Sequence, residues 1–316
     1  MIRPLRPRDV LAVRRGQGGK ELTAATWPKT PPESREPGVW DLLRYGLQPS
    51  ARERPVGVST AGGRVDGWVL GRSRAGGLVW DVEYLRANSA EDGAQLLRWV
   101  CDQGLAALAR RLFIETPPDG TGAEVAGRAS FERYTEGGLW QLDPGFAREE
   151  GDSLPARPRL RSDEVGLFQL YNAAVPATVR GAEAMTSEEW GALYRGRKLW
   201  APRIIGDRQD FVWELGARPA GWMRTIYGQR AQFLELLIHP QYESYADRMV
   251  KNALVQMSNK APVIADVREY QGAVQASLQR AGFRPGDSYA VWVRQLAPRV
   301  AEPASKTVRA PVRPSA

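Results

Sequence analysis

The chain has 316 residues, 43% hydrophobic and 25% charged, the composition of a soluble globular protein long enough to build two cores. One cysteine, Cys101, excludes an internal disulfide and a cysteine-built zinc cage, and one histidine, His239, excludes an HExxH metal site. The formal charge of +8 is nearly all arginine, but the arginines are scattered and not striped along one helix, so a nucleic-acid partner is not expected.

No apolar run reaches the roughly 18 residues needed to span a bilayer. The start, MIRPLRPRDV, has no signal-like apolar stretch, so a cytoplasmic protein without membrane contact is expected. In chain order, MIRPLRP reads as a strand and DLLRYGL as helix. Between them lies the loop-like segment 16–38, either an insertion over a site or a surface loop. PVGVSTAGGRVDGWVLG reads as a hairpin, and LVWDVEYL as a strand leading through a turn into a long helix, where Cys101 is expected as a small core residue. RLFIET, GAEVAGRASF and GLWQL give strand, helix and strand. A polar stretch rich in Pro and Gly, DPGFAREEGDSLPARPR, follows as a linker.

The order then repeats. PRLRS is a strand and DEVGLFQLYNAAV a helix, and Thr186 to Glu189 in TSEEW forms a capping box that opens another helix. DFVWELGARPAGWMRTIYG is a hairpin, and FLELLI feeds the turn and helix of LIHPQYESYADRMVKNAL. PVIADV, GAVQASLQRAGF and YAVWVRQL close the second copy. Trp68 and Trp222 head matching strands (222 − 68 = 154), Val82 and Leu236 share that offset, and so do Leu142 and Leu296. The fold class expected is α/β (α+β), as two tandem domains, each a mixed, mostly antiparallel sheet flanked by helices. The boundaries read as 1–145 and 159–298, with a linker at 146–158 and a disordered basic tail at 299–316.

Several chemistries fail at this level. No GxSxG elbow accompanies His239, and GQGGKE lacks the spacing of a phosphate-binding P-loop. One place stands out, the strand-to-helix turn at Gln241, Ser244 and Ala246. Backbone amides at such a corner can hold a phosphate, and glycine normally permits the close approach. The same corner of the first copy carries Asn88, Glu91 and Gly93, with Glu91 where an anion would sit.

This element order, with the turn just described and a late helix ending LQRAGF, resembles the GCN5-related N-acetyltransferase (GNAT) superfamily across both halves. Gln241 and Ala246 match the superfamily's Q/R-x-x-G-x-G/A motif, and Ser244 replaces its first glycine. The resemblance implies an acyl-CoA-dependent N-acyltransferase that moves an acetyl group from acetyl-CoA to a primary amine of a small molecule or peptide, without a metal. It implies that Leu236, Leu237 and Ile238 pair with the pantetheine arm, and that Gln241, Ser244, Tyr245 and Ala246 hold the diphosphate. The family's tyrosine acid falls on Leu278 in the second copy and near Ala126 in the first, so neither copy supplies it there. The candidate base is Glu235 in the second copy or Glu83 in the first, and for Glu235 the alternative is a solvated strand position. Tyr270 could reach the cleft, or be packing. A catalytically inactive binding or scaffold protein on the same fold is the alternative, because both turns depart from the motif.

Overall fold

In the computed structural model the described residues are 1–14, 19–24, 42, 54–74, 77–147, 156–194, 208–216, 218–228 and 231–296. The tail at 299–316, all of DLLRYGL except Leu42, residues 148–155 of the linker, and segment 16–38 apart from 19–24 lie outside them.

The N-terminal half runs β1 (Ile2–Pro4), α1 (Val10–Arg14), β2 (Lys20–Glu21), β3 (Val56–Ala61), β4 (Arg64–Ser73), β5 (Val79–Ala87), α2 (Ala90–Ala106), β6 (Arg111–Thr116), α3 (Thr121–Arg128) and β7 (Glu132–Leu142). The C-terminal half runs β8 (Ala156–Pro158), α4 (Glu164–Ala174), α5 (Ala177–Glu183), α6 (Ser187–Tyr194), β9 (Arg208–Leu215), β10 (Arg218–Tyr227) and β11 (Gln232–Ile238). A 3-10 helix (Pro240–Tyr245) then leads to α7 (Ala246–Gln256), β12 (Val263–Arg268), α8 (Gly272–Arg280) and β13 (Arg284–Gln295).

The expectation of two tandem domains is overturned. The thirteen strands of the described residues form one continuous mixed sheet in the order β1-β3-β4-β5-β6-β13-β7-β12-β11-β10-β9-β8, with β2 against β5. The cause is an exchange of last strands. The first half's final strand, β7, pairs with β12, and the second half's final strand, β13, pairs with β6. The two exchanged strands also pair with each other, from Arg284↔Gln141 to Val293↔Glu132. Neither half can leave without breaking backbone ladders that belong to both.

The 154-residue repetition nevertheless reaches individual side chains. Arg3 donates to both carboxylate oxygens of Asp9, and Asp9 Oδ2 also accepts from the Arg6 N–H at 2.8 Å. Arg157 grips Asp163 in the same way, and the Leu160 N–H donates to Asp163 Oδ2 at 2.7 Å (157 − 3 = 154 and 163 − 9 = 154). The arginine hydrogen bond holds each carboxyl below its usual range. This clamp starts a 3-10 turn after Leu160, so the strand expected at PRLRS stops at Pro158.

Helices cover both faces. Leu96, Leu97, Val100 and Val125 of α2 and α3 bury against Leu112 and Ile114 of β6. Met249, Val250, Val274 and Leu278 of α7 and α8 bury against Val263, Ala265 and Val267 of β12. On the opposite face, Leu167, Tyr171, Val179 and Trp190 of α4–α6 pack on Trp222 and Leu237. The TSEEW capping box is present: the Glu189 N–H donates to Thr186 Oγ1 at 3.1 Å and the Thr186 N–H to Glu189 Oε2 at 2.9 Å. Cys101 is buried in the core, and burial pushes its thiol up to about 12, which removes it from thiolate chemistry.

One glycine at the exchange is required by close approach. Gly137 lies opposite both Arg268 and Tyr289, and a Cβ there would come within 2.4 Å of the Tyr289 ring and hydroxyl. Gly137→Ala is expected to destabilise the fold by about 1–3 kcal/mol through overpacking. A lowered urea midpoint at unchanged slope is the measurement that checks it.

Candidate functional site

On the face covered by α4–α6, four charged residues stand in register across four strands. Asp210 pairs with Arg224, Arg224 with Glu235, and Glu235 with Asp266. Arg224 donates to Asp210 Oδ1 at 2.8 Å and to Glu235 Oε2 at 3.4 Å. The row therefore ends in two neighbouring carboxylates, of which only Glu235 has the arginine between itself and Asp210. Burial is the main cause that pushes the Asp266 carboxyl up to about 7, and the carboxylates of Glu115 and Glu235 add to it. Arg268 and a hydrogen bond from the Tyr289 hydroxyl pull the other way without overcoming burial.

Arg268 shares this face two residues along β12. Its guanidinium lies 5.1 Å from the Tyr289 ring and 3.7 Å from Glu115 of β6, reaching across the side-chain-free position of Gly137. Residues of both halves thus build one polar nest across the exchanged strands. Reading the sequence missed Asp266 and Arg268. The available signal was a charge in the middle of an apolar strand, PVIADVR, next to the one noticed in FLELLI.

The nest sits at the apex of a wedge. Strands β11 and β12 are parallel and pair only from Gln232↔Val263 to Glu235↔Asp266, after which they diverge. Leu236, Leu237 and Ile238 continue β11 along the open side, still paired to β10 on the other. The His239 N–H donates to Ala220 at 2.8 Å. By antiparallel alternation Leu237 therefore also turns its amide groups to β10, while those of Leu236 and Ile238 face the wedge. The Leu236 carbonyl accepts from Gln271 Nε2 at 2.6 Å, and Gln271 Oε1 accepts from the Arg268 N–H at 2.8 Å. One carboxamide thus stitches the mouth of the wedge.

Tyr270 packs beside the α4–α6 cluster, and burial pushes its hydroxyl above the usual range, so it keeps its proton at neutral pH. Leu278 and Ala126, the two positions matched to a tyrosine acid, are buried in the cores.

The corner expected to hold a diphosphate is a 3-10 helix with a kink at Tyr242. Gln241 and Ser244 are exposed, Tyr245 is half-buried and Ala246 is buried. The Gln241 N–H donates to His239 Nδ1 at 3.2 Å, the Tyr242 N–H to the His239 carbonyl at 2.8 Å, and the Ala246 N–H to the Glu243 carbonyl. His239 is thus the cap of this turn. A 3-10 helix needs no left-handed residue, which is why the turn forms with Ser244 where glycine was expected.

Among the described residues no group of three or more His, Cys, Asp or Glu could hold a metal ion, and no helix is long and apolar enough to cross a membrane. Many arginines are tied to carboxylates, as in Arg74–Asp81, Arg111–Glu189, Arg157–Asp163 and Arg280–Asp247, and so do not form a free basic stripe.

No family model and no curated protein matches the chain. Solved structures do. A GCN5-related N-acetyltransferase from Sphaerobacter thermophilus superposes with a TM-score of 0.55 at 15% identity, over 94% of this chain and 96% of that one. A Pyrococcus horikoshii protein provisionally described as an acetyltransferase gives 0.52 at 11% identity, over 94% and 90%. A functionally unknown conserved protein from Staphylococcus epidermidis gives 0.50 at 12% identity, over 69% and 85%. The chain has the fold of the GCN5-related N-acetyltransferases.

Proposed function

We propose that this chain, folded as those acetyltransferases are, is an acyl-CoA-dependent N-acyltransferase whose donor slot is the β11/β12 wedge. The group moved is acetyl, from acetyl-CoA to a primary amine of a small molecule or peptide. The observation that carries this reading is geometric: β11 runs on past its last pairing with β12, with Leu236 and Ile238 along the open edge, and the neighbouring carboxyls of Glu235 and Asp266 stand at the apex.

An acyl donor paired with the wedge-facing groups of Leu236 and Ile238 would direct its thioester at Glu235 and Asp266. Asp266 takes one proton from the acceptor's ammonium form and so frees the amine lone pair, because a carboxyl near 7 is ionised in part at neutral pH and is basic enough to hold that proton. Glu235, held by Arg224, orients the row beside Asp266. The amine then attacks the thioester carbonyl, the carbon–sulfur bond breaks, and the thiolate leaves. Tyr270, still protonated, is the proton donor for that thiolate, and it is reprotonated by the second proton that the acceptor nitrogen loses as the amide forms. Direct transfer needs positioning and a base and no covalent enzyme intermediate.

A second reading, a binding protein without turnover, is favoured by the corner, where the amides of Gln241, Tyr242 and Ala246 are already bonded within the chain. Thiol release from acetyl-CoA across a panel of primary amines separates the two. Steady, amine-dependent release is expected. Binding of acetyl-CoA in a calorimeter with no release for any amine would leave the binding protein.

A further inference from the structure

We infer that residues 19–24 are a built-in occupant of the first half's wedge, so that the chain offers one donor slot and not two. The inference rests on the acyl-CoA reading only for the ligand used in its test.

The first half has its own wedge. Parallel strands β5 and β6 pair only from Val79↔Arg111 to Asp81↔Phe113, and β5 then runs on to Ala87. A bulge against β4 at this point, between Leu70↔Tyr84 and Gly71↔Val82, bends β5 away. The gap is filled by the chain itself. Lys20 pairs with Ala87 and Glu21 with Arg86. The Leu22 N–H donates to the Leu85 carbonyl and the Ala24 N–H to the Glu115 carbonyl, each at 2.9 Å, so the segment crosses from one side of the wedge to the other.

The surroundings are built around it. Leu22 and Thr23 are 4% and 6% exposed. A Cβ on Gly122, at the start of α3, would stand 2.5 Å from the Leu22 carbonyl oxygen. Gly19 enters at a φ of +83°, and its carbonyl accepts from Arg86 Nε at 2.6 Å. The Gly93 that fits the sequence motif is explained by packing, since a Cβ there would meet Val125 and Leu22.

The two wedges correspond through the strands they lean on. Leu85 faces Val69 on β4 and Leu236 faces Met223 on β10, with 223 − 69 = 154; because 236 − 85 = 151, the structural counterpart of Leu236 is Leu85 and not Val82, the match that the sequence offset suggests. The Leu85 carbonyl is taken by a main-chain strand with a buried leucine, whereas the Leu236 carbonyl is taken, among the described residues, by the side chain of Gln271. A carboxamide can rotate aside for an incoming amide. A strand anchored by Leu22 cannot leave without emptying part of the core. The first wedge is therefore closed for good, and the second is the one that opens.

Two measurements test this. Amide hydrogen exchange should find the Leu22 and Ala24 N–H groups protected to the level of the central strands. A disulfide made by Glu21→Cys with Arg86→Cys, a pair placed between ladder hydrogen bonds, locks the segment in place. Calorimetry should then give one equivalent of acetyl-CoA for wild type and locked protein alike, with unchanged Kd. Loop-like exchange at Leu22 and Ala24, or two equivalents that fall to one on locking, would overturn the inference. If wild type takes up no acetyl-CoA, the donor reading fails, and the exchange data alone decide whether the segment is a permanent plug.

Discussion

Asp266→Asn is expected to lower kcat/KM by about 10²- to 10⁴-fold, the loss that follows removal of a general base. The wild-type pH profile should carry the same residue's signature. Activity needs the ionised carboxylate, so kcat/KM should rise as pH passes through about 7 and fall away below it. Stability should move in the opposite direction. The folded state holds a proton on Asp266 in the window from about 4 to 7, where the unfolded chain has lost it. Stability contributed by that proton is therefore lost as pH rises through the window, at up to about 1.4 kcal/mol per pH unit, and the slope ends above 7. Asp266→Asn removes the slope. Urea midpoints at several pH values, compared between wild type and variant, separate this behaviour from a general loss of structure.

Arg268→Met is expected to have the largest effect on stability, about 3 kcal/mol, the low end for a broken buried pair, because it leaves the buried Glu115 and the half-buried Asp266 without their shared cation. It should also push Asp266 further up and move the activity profile to higher pH, since Arg268 is the main group holding that carboxyl down. Arg268→Lys keeps the charge and should recover part of both effects. Equilibrium urea unfolding gives the first quantity and the pH–rate profile the second. A variant as stable as wild type would mean that the nest is solvated and not a joint between the halves.

Much of the fold could be read from pattern alone. RLFIET is β6 residue for residue, and the two hairpins, the capping box at Thr186 and the buried Cys101 all lie where the sequence places them. The exchange of β7 and β13 could not be read. Each carries an apolar pattern that fits several neighbours, and partner choice is fixed by long-range packing, here by Tyr289 lying over Gly137. Leu236–Ile238 were legible as the strand that runs into the turn, and Glu235 as the one charge within it. That residue is held by Arg224, and the carboxyl near neutrality is its register partner Asp266, on the next strand beyond an intervening helix. The Arg–Asp clamps that repeat at 154 residues were equally hidden, because a clamp shows only when both ends of a turn are brought together.

A structure determined with acetyl-CoA tests the central claim most directly. The expected result is a pantetheine arm along Leu236 and Ile238, with Gln271 turned aside, the thioester facing Asp266, and Gly19–Ala24 still in place in the other wedge. An arm bound elsewhere, or an unchanged Gln271 stitch in the presence of millimolar ligand, would contradict it.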